Sequence, residues 1–270
     1  MSLAKNIPND LRDLLQAMAA DFRAILSRNL VGIYLWGSLT YGAFDERCSD
    51  VDLVTVTARD LNDREFSALD EWFQHQAEQN RWVKRLDIRF VIDHEFLDKT
   101  SRCCGLYHDT ERLVRHGSDG NPIMWVNIAQ SGVTLWGKNA KCIAPQVSEQ
   151  CLNDALLLEV NYLKEDLHAN AGSRSERAFI HNAYAVLTAC RILYSAYHRK
   201  LVSKDQAYDW SIETMPSIWH PVIHAARENR LKNSGSTTPE LEGAALRFLS
   251  FVGGEVKRAL RSQDPSASRS

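Results

Sequence analysis

Leu35-Trp36-Gly37-Ser38, eleven further residues, then Asp50-Val51-Asp52-Leu53-Val54-Thr55-Val56-Thr57 is the stretch on which the fold of this chain turns. Val31 to Trp36 is a short apolar run that stops at Gly37-Ser38, the pattern of a buried strand running into a tight turn. Such a turn can hold phosphate with backbone N–H groups and a hydroxyl: Gly37 lets the backbone approach an anion, and Ser38 adds a donor without bulk. Val51 to Thr57 is β-branched and reads as the second strand. Asp50 and Asp52 are two residues apart, so an extended backbone sends both carboxylates to one face. Two carboxylates that close repel each other and call for a cation between them. Mg²⁺ takes oxygen ligands and bridges carboxylates to substrate phosphates.

The pattern continues outward. Arg85 to Ile92 alternates, with Leu86, Ile88, Phe90 and Ile92 on one face and Asp87, Arg89 and Val91 on the other, which predicts a third strand. Asp87 is at the centre of its polar face, where it can join the Asp50/Asp52 cluster from a neighbouring strand; the plainer alternative is an exposed acid paired with Lys84 or Arg89. Leu11 to Leu30 and residues 62–80 carry apolar stripes at helical spacing. Between about 100 and 145 the pattern weakens, and Ile123–Ile128 and Val133–Trp136 fit either strand or helix. From Ser148 onward helices are predicted over 149–169, 176–199, 203–213, 217–231 and 239–261. The fold class is therefore α+β: an α/β domain over 1–145, an all-helical domain over 146–262, and a polar, Ser-rich tail over 263–270.

With 44% hydrophobic and 24% charged residues, the 270-residue chain has the composition of a folded globular protein. Thirty-two Lys+Arg against 34 Asp+Glu leave a net charge of -2, so no global basic field points to nucleic acid. No apolar run approaches the roughly 18–20 residues of a membrane span, and the first ten residues have no apolar signal core, so the expectation is a cytoplasmic protein with no membrane partner. Cys48, Cys103, Cys104, Cys142, Cys151 and Cys190 lack the spacing of a zinc site and read as reduced, mostly buried thiols. Cys103-Cys104 with His108 is a weaker metal candidate, because adjacent side chains point poorly at one ion. Trp36, Trp125, Trp136, Trp210 and Trp219 read as packing residues.

Gly-Ser, a short spacer, Asp-x-Asp and a later strand-borne acid resemble the signature of the nucleotidyltransferase superfamily with the polymerase-β-like fold. The helical half sharpens this. Arg191-Ile192-Leu193-Tyr194-Ser195-Ala196, Lys204-Asp205, Asp209-Trp210, Met215-Pro216 and Pro221-Val222-Ile223 look like the C-terminal domain of the streptomycin/spectinomycin adenylyltransferases. The resemblance implies an enzyme that moves AMP from ATP to a hydroxyl of a small molecule, an aminoglycoside or aminocyclitol, bound in the cleft between domains. It also implies roles. Ser38 binds the triphosphate with help from Ser49, Asp50 and Asp52 hold Mg²⁺, Arg191 and Lys204 reach the ATP phosphates, and Asp87 serves as general base beside the metals.

Two departures from that family stand out. Asp87 occupies a position where Glu is common. The loop before the Arg-bearing helix reads His168-Ala169-Asn170-Ala171-Gly172-Ser173-Arg174, and His181 stands where the streptomycin-modifying members carry Asp. Glu159, Glu165, Asp166 and Glu176 lie near that loop. Two other functions compete. One is a nucleotidyltransferase acting on a protein, with Arg174-x6-His181 and Arg191-x6-His198 matching the spacing of some helical ribonuclease domains. The other is a non-catalytic nucleotide-binding module, which the retention of all three acids disfavours.

Overall fold

The computed structural model describes residues 7–107, 112–117, 120–173, 176–232 and 238–261. They fall into two compact units, residues 1–147 and 148–270. The predicted polar tail lies outside the described residues.

The first unit is built on a six-stranded sheet in the order β5-β4-β3-β2-β1-β6. Its strands are β1 (Leu30–Leu35), β2 (Val51–Thr57), β3 (Leu86–Ile92), β4 (Arg102–Leu106), β5 (Val114–Gly117) and β6 (Val133–Trp136). The β2–β3 pair is parallel and the others are antiparallel. A parallel pair needs a crossover, here α2 (Asp63–Gln79), which starts at a capping box: Asn62 accepts from the Glu65 N–H while the Glu65 carboxylate accepts from the Asn62 N–H. A cap of this kind is worth about 1 kcal/mol. Helix α1 (Asn9–Leu26) buries Leu11, Leu14, Leu15, Met18, Phe22 and Leu26. It stops short of the expected Leu30, because Ser27 takes a positive φ of 48° and Leu30 is already paired with Thr57 in the sheet.

Period two along the strands sorts the side chains onto two faces. Ile33, Leu35, Leu53, Leu86, Ile88 and Phe90 join one core with the apolar stripes of α1 and α2. Tyr34, Val54, Val56 and Val91 join a second with Met124, Trp125 and Ile128 of α3 (Pro122–Ser131). The ambiguous Ile123–Ile128 is thus helical, started by Pro122 at its first turn and capped by the Asn121 side chain on the Met124 N–H, and Val133–Trp136 is a strand. A short α4 (Ala140–Ile143) closes the unit. Strands β4 and β5 lay in the stretch where no element was predicted. Their sequences, Arg-Cys-Cys-Gly-Leu and Val-Arg-His-Gly, carry little strand signal of their own, and pairing outward from β3 makes them strands.

The second unit is helical: α5 (Glu149–Ala169), α6 (Glu176–His198), α7 (Lys204–Thr214), α8 (His220–Lys232) and α9 (Pro239–Arg261). Helix α6 is its hub and packs against the other four. Ser148 caps α5, and Ser203 with Gln206 forms a capping box on α7. Among the described residues no helix is long and apolar enough to cross a membrane.

Candidate active site

Asp52 and Asp87 are direct partners in the parallel β2–β3 register, which brings two half-buried carboxylates together from strands about 4.8 Å apart. Both lie on the α3 side of the sheet, at the end where β2 and β3 begin. Asp50 stands exposed one residue ahead of β2. Among the described residues no group of three or more His, Cys, Asp or Glu side chains is disposed to hold a metal ion. Asp50, Asp52 and Asp87 therefore do not form a ready-made three-ligand cage. Arg89 shares the face of Asp87, with Nε 3.9 Å from Asp87 Oδ1, while Lys84 is exposed in the turn before β3.

Above Asp52 the chain leaves β1 in a 3-10 turn, Gly37–Leu39. Gly37 has φ +70°, and a Cβ there would stand 2.0 Å from Asp52 Oδ2. Only a residue without a side chain lets the turn lie against the carboxylate. The Gly37 N–H does not point free: it donates to Asn127 Oδ1 at 3.1 Å. Ser38 is half-buried, and its carbonyl accepts from the Ala43 N–H at 3.0 Å.

Ser49 is placed differently. It is buried, its hydroxyl accepts from the Asp45 N–H at 2.9 Å, and its own N–H donates to the Asp45 carbonyl at 2.8 Å. Its oxygen thus ties the loop that delivers Asp50, although the hydroxyl proton can still be given to a ligand. Arg85 clamps the same loop, donating to the carbonyls of Glu46 (2.6 Å) and Ser49 while its guanidinium lies over the Trp82 ring.

In the helical unit, Arg191 and Lys204 are brought near one another by one connection. Arg191 Nε donates to the Val202 carbonyl at 2.9 Å, two residues before Lys204, and the Lys204 ammonium lies 4.2 Å from the centre of the Tyr184 ring. His181 Nδ1 is 2.9 Å from Asp166 Oδ2, so position 181, where the resemblance implied an acid, holds a His–Asp pair. Glu165 is exposed. Arg174 and the Glu176 side chain lie outside the described residues, and His198 stacks on Tyr194, ring centres 4.3 Å apart.

Adjacent Cys103 and Cys104 point into opposite cores, so the two thiols cannot share an ion, and His108 lies outside the described residues. Burial pushes the thiols of Cys104 and Cys190 up, which keeps them protonated and inert. The expectation of mostly buried thiols holds for Cys103, Cys104 and Cys190; Cys142 is exposed, and Cys48 and Cys151 are half-buried. Trp125 is fully buried, whereas Trp136 is 39% exposed beneath the Arg23 guanidinium.

The sequence pattern marks neither Asn127 nor Arg85 as a site residue. Asn127 is an amide flanked by Trp125, Val126, Ile128 and Ala129, and Arg85 is one more cation before a strand; only the first carries a signal, the cost of burying an amide.

Residues 143–252 match the family model of the aminoglycoside adenylyltransferase C-terminal domain. An aminoglycoside (3'') (9) adenylyltransferase from Escherichia coli is 23% identical over 248 residues, 87% of this chain and 90% of the relative. A spectinomycin 9-adenylyltransferase from Campylobacter jejuni is 19% identical over 88% of this chain and 93% of its own length. The crystal structure of a spectinomycin adenyltransferase from Enterococcus faecialis, with ATP and spectinomycin, superposes with TM-score 0.64 over 90% of this chain and 98% of that one, at 14% identity, and so shares the fold. The chain is thus similar to aminoglycoside and spectinomycin adenylyltransferases along most of its length, and much of its helical unit matches the model of their C-terminal domain.

Proposed function

We propose that this protein transfers AMP from ATP to a hydroxyl of an aminoglycoside or aminocyclitol, with Mg²⁺ as cofactor. The observation that carries the reading is the meeting of Asp52 and Asp87 across the β2–β3 register beside the bare face of Gly37. Relatives that align along most of the chain are adenylyltransferases.

The donor set fits Mg²⁺. This ion keeps several waters and takes one or two protein carboxylates plus substrate phosphates, so Asp50 and Asp52, with Asp87 alongside, suffice without a closed cage. When bound, the ion supplies the positive charge that the triphosphate needs. Ser38 donates to the triphosphate, the proton of the Ser49 hydroxyl is available to it, and Arg191 and Lys204 neutralise the departing pyrophosphate. The acceptor oxygen attacks the α-phosphorus in line, the bond to the bridging oxygen breaks, pyrophosphate leaves, and Asp87 takes or orients the acceptor's proton. Charge neutralisation and positioning do the chemistry.

Transfer of label from α-labelled ATP to a panel that includes spectinomycin and streptomycin tests the reading. Labelled antibiotic with release of pyrophosphate is the expected result. Label on no small hydroxyl compound, or on protein alone, would refute it.

A further inference from the structure

We propose that Asn127 is a positioning residue for this reaction, holding the Gly37–Leu39 turn in the form that receives the triphosphate; the proposal rests on the function just given. Helix α3 is apolar around it, and Asn127 is only 2% exposed. A buried amide is costly unless its polar atoms are used. They are used on the turn. Asn127 Oδ1 accepts from the Gly37 N–H, a residue ninety positions earlier in the chain, at 3.1 Å, and Nδ2 points to the Tyr41 hydroxyl at 3.4 Å.

One helical turn later, the Ser131 hydroxyl can give its proton either to the Asn127 carbonyl at 3.2 Å or to the Thr40 hydroxyl at 3.0 Å. The Thr40 hydroxyl in turn donates to the Gly37 carbonyl at 2.9 Å. Both the N–H and the C=O of Gly37 are therefore held by side chains, one on α3 and one tied to it. This matters because the left-handed Gly37 lies against Asp52: rotation of its peptide would change the spacing between the turn and the carboxylate. It also means that the Gly37 N–H serves the protein rather than the phosphate, and the Thr40 and Ala43 amides are likewise spent inside the loop, which leaves the Ser38 hydroxyl to meet the ligand.

Asn127→Leu keeps the size and removes both polar atoms. Ile128→Ala, in the same helix and core, is the control for a merely structural effect. Three measurements go together on the full chain: amide exchange at Gly37 by NMR without ligand, Mg-ATP affinity by calorimetry, and separate KM values for ATP and acceptor. In Asn127→Leu, Gly37 exchange should quicken and the Mg-ATP dissociation constant and the ATP KM should rise about tenfold, the worth of one hydrogen bond held out of water. The acceptor KM should stay. In Ile128→Ala all three should stay near wild type even where the melting temperature falls as far. Unchanged exchange in Asn127→Leu overturns the proposal, as does faster exchange with unchanged ATP affinity, or an equal loss of affinity in Ile128→Ala. If the wild type binds no Mg-ATP, the functional reading fails with the proposal, whereas a failure of the proposal alone leaves wild-type binding intact.

Discussion

Replacing Gly37 by alanine sets two physical costs against each other in one residue, and a second glycine separates them. Gly37 has φ +70°, and an L-residue in that region costs about 1–2 kcal/mol. The new methyl would also stand 2.0 Å from Asp52 Oδ2 and 2.8 Å from Asp52 Cγ, inside van der Waals contact. Either the turn lifts or the carboxylate swings aside, by about an ångström. A displacement of that size in a reacting constellation costs about 10²-fold in rate, equivalent to about 2.7 kcal/mol of barrier. Gly42 has φ +71° but nothing within 4 Å of its Cβ position, so Gly42→Ala carries the backbone cost without the collision. Thermal denaturation and steady-state transfer assays, run on both variants, should therefore diverge. Both should lose about 1–2 kcal/mol of stability, but only Gly37→Ala should lose about a hundredfold or more in kcat/KM. Near wild-type turnover in Gly37→Ala would show that the turn does not serve the reaction. An equal loss in Gly42→Ala would show that backbone strain alone explains the effect.

Asp50→Asn and Asp52→Asn should each leave less than about a tenth of wild-type transfer, a barrier increase of at least about 1.4 kcal/mol, with an unchanged circular dichroism spectrum; a higher residual rate in either removes that residue from the metal set. Asp87→Asn should cut single-turnover transfer by about 10²–10⁴-fold with Mg-ATP affinity near wild type by calorimetry, and a parallel loss of affinity would make Asp87 chiefly a metal ligand. Away from the site, burial pushes the Glu65 carboxyl up, but hydrogen bonds from Arg59, Asn62 and Asn29 and the Arg59 charge hold it below the usual range. A depressed carboxyl stabilises the fold above its unfolded pKa and ceases to do so as pH falls through the folded value. The melting-temperature gap between wild type and Glu65→Gln should therefore be full near neutral pH and close in acid; a gap independent of pH would refute the assignment.

The parts of this site that could be read in the sequence are those fixed by local periodicity. The apolar run ending at Gly37-Ser38 gives the turn, and alternation around Asp87 gives its face. What could not be read is which carboxylates meet, because that depends on the register of two strands joined through α2. The pairing of Asp52 with Asp87 follows from Leu86, Ile88 and Phe90 being buried beside Leu53 against α1 and α2. A slip of one residue in β3 would turn those three toward α3 and send Asp87 into the opposite core, so burial of the apolar row forbids it. The same limit explains β4 and β5, whose strand character comes from β3, and Asn127, whose apolar flanks suit a strand or a helix equally. Once α3 forms, the buried amide oxygen accepts from the Gly37 N–H at 3.1 Å and, more weakly, from the Ser131 hydroxyl at 3.5 Å. The geometry around Asp52 is therefore set from two sides, by apolar burial that fixes β3 and by one buried amide that fixes the turn above it.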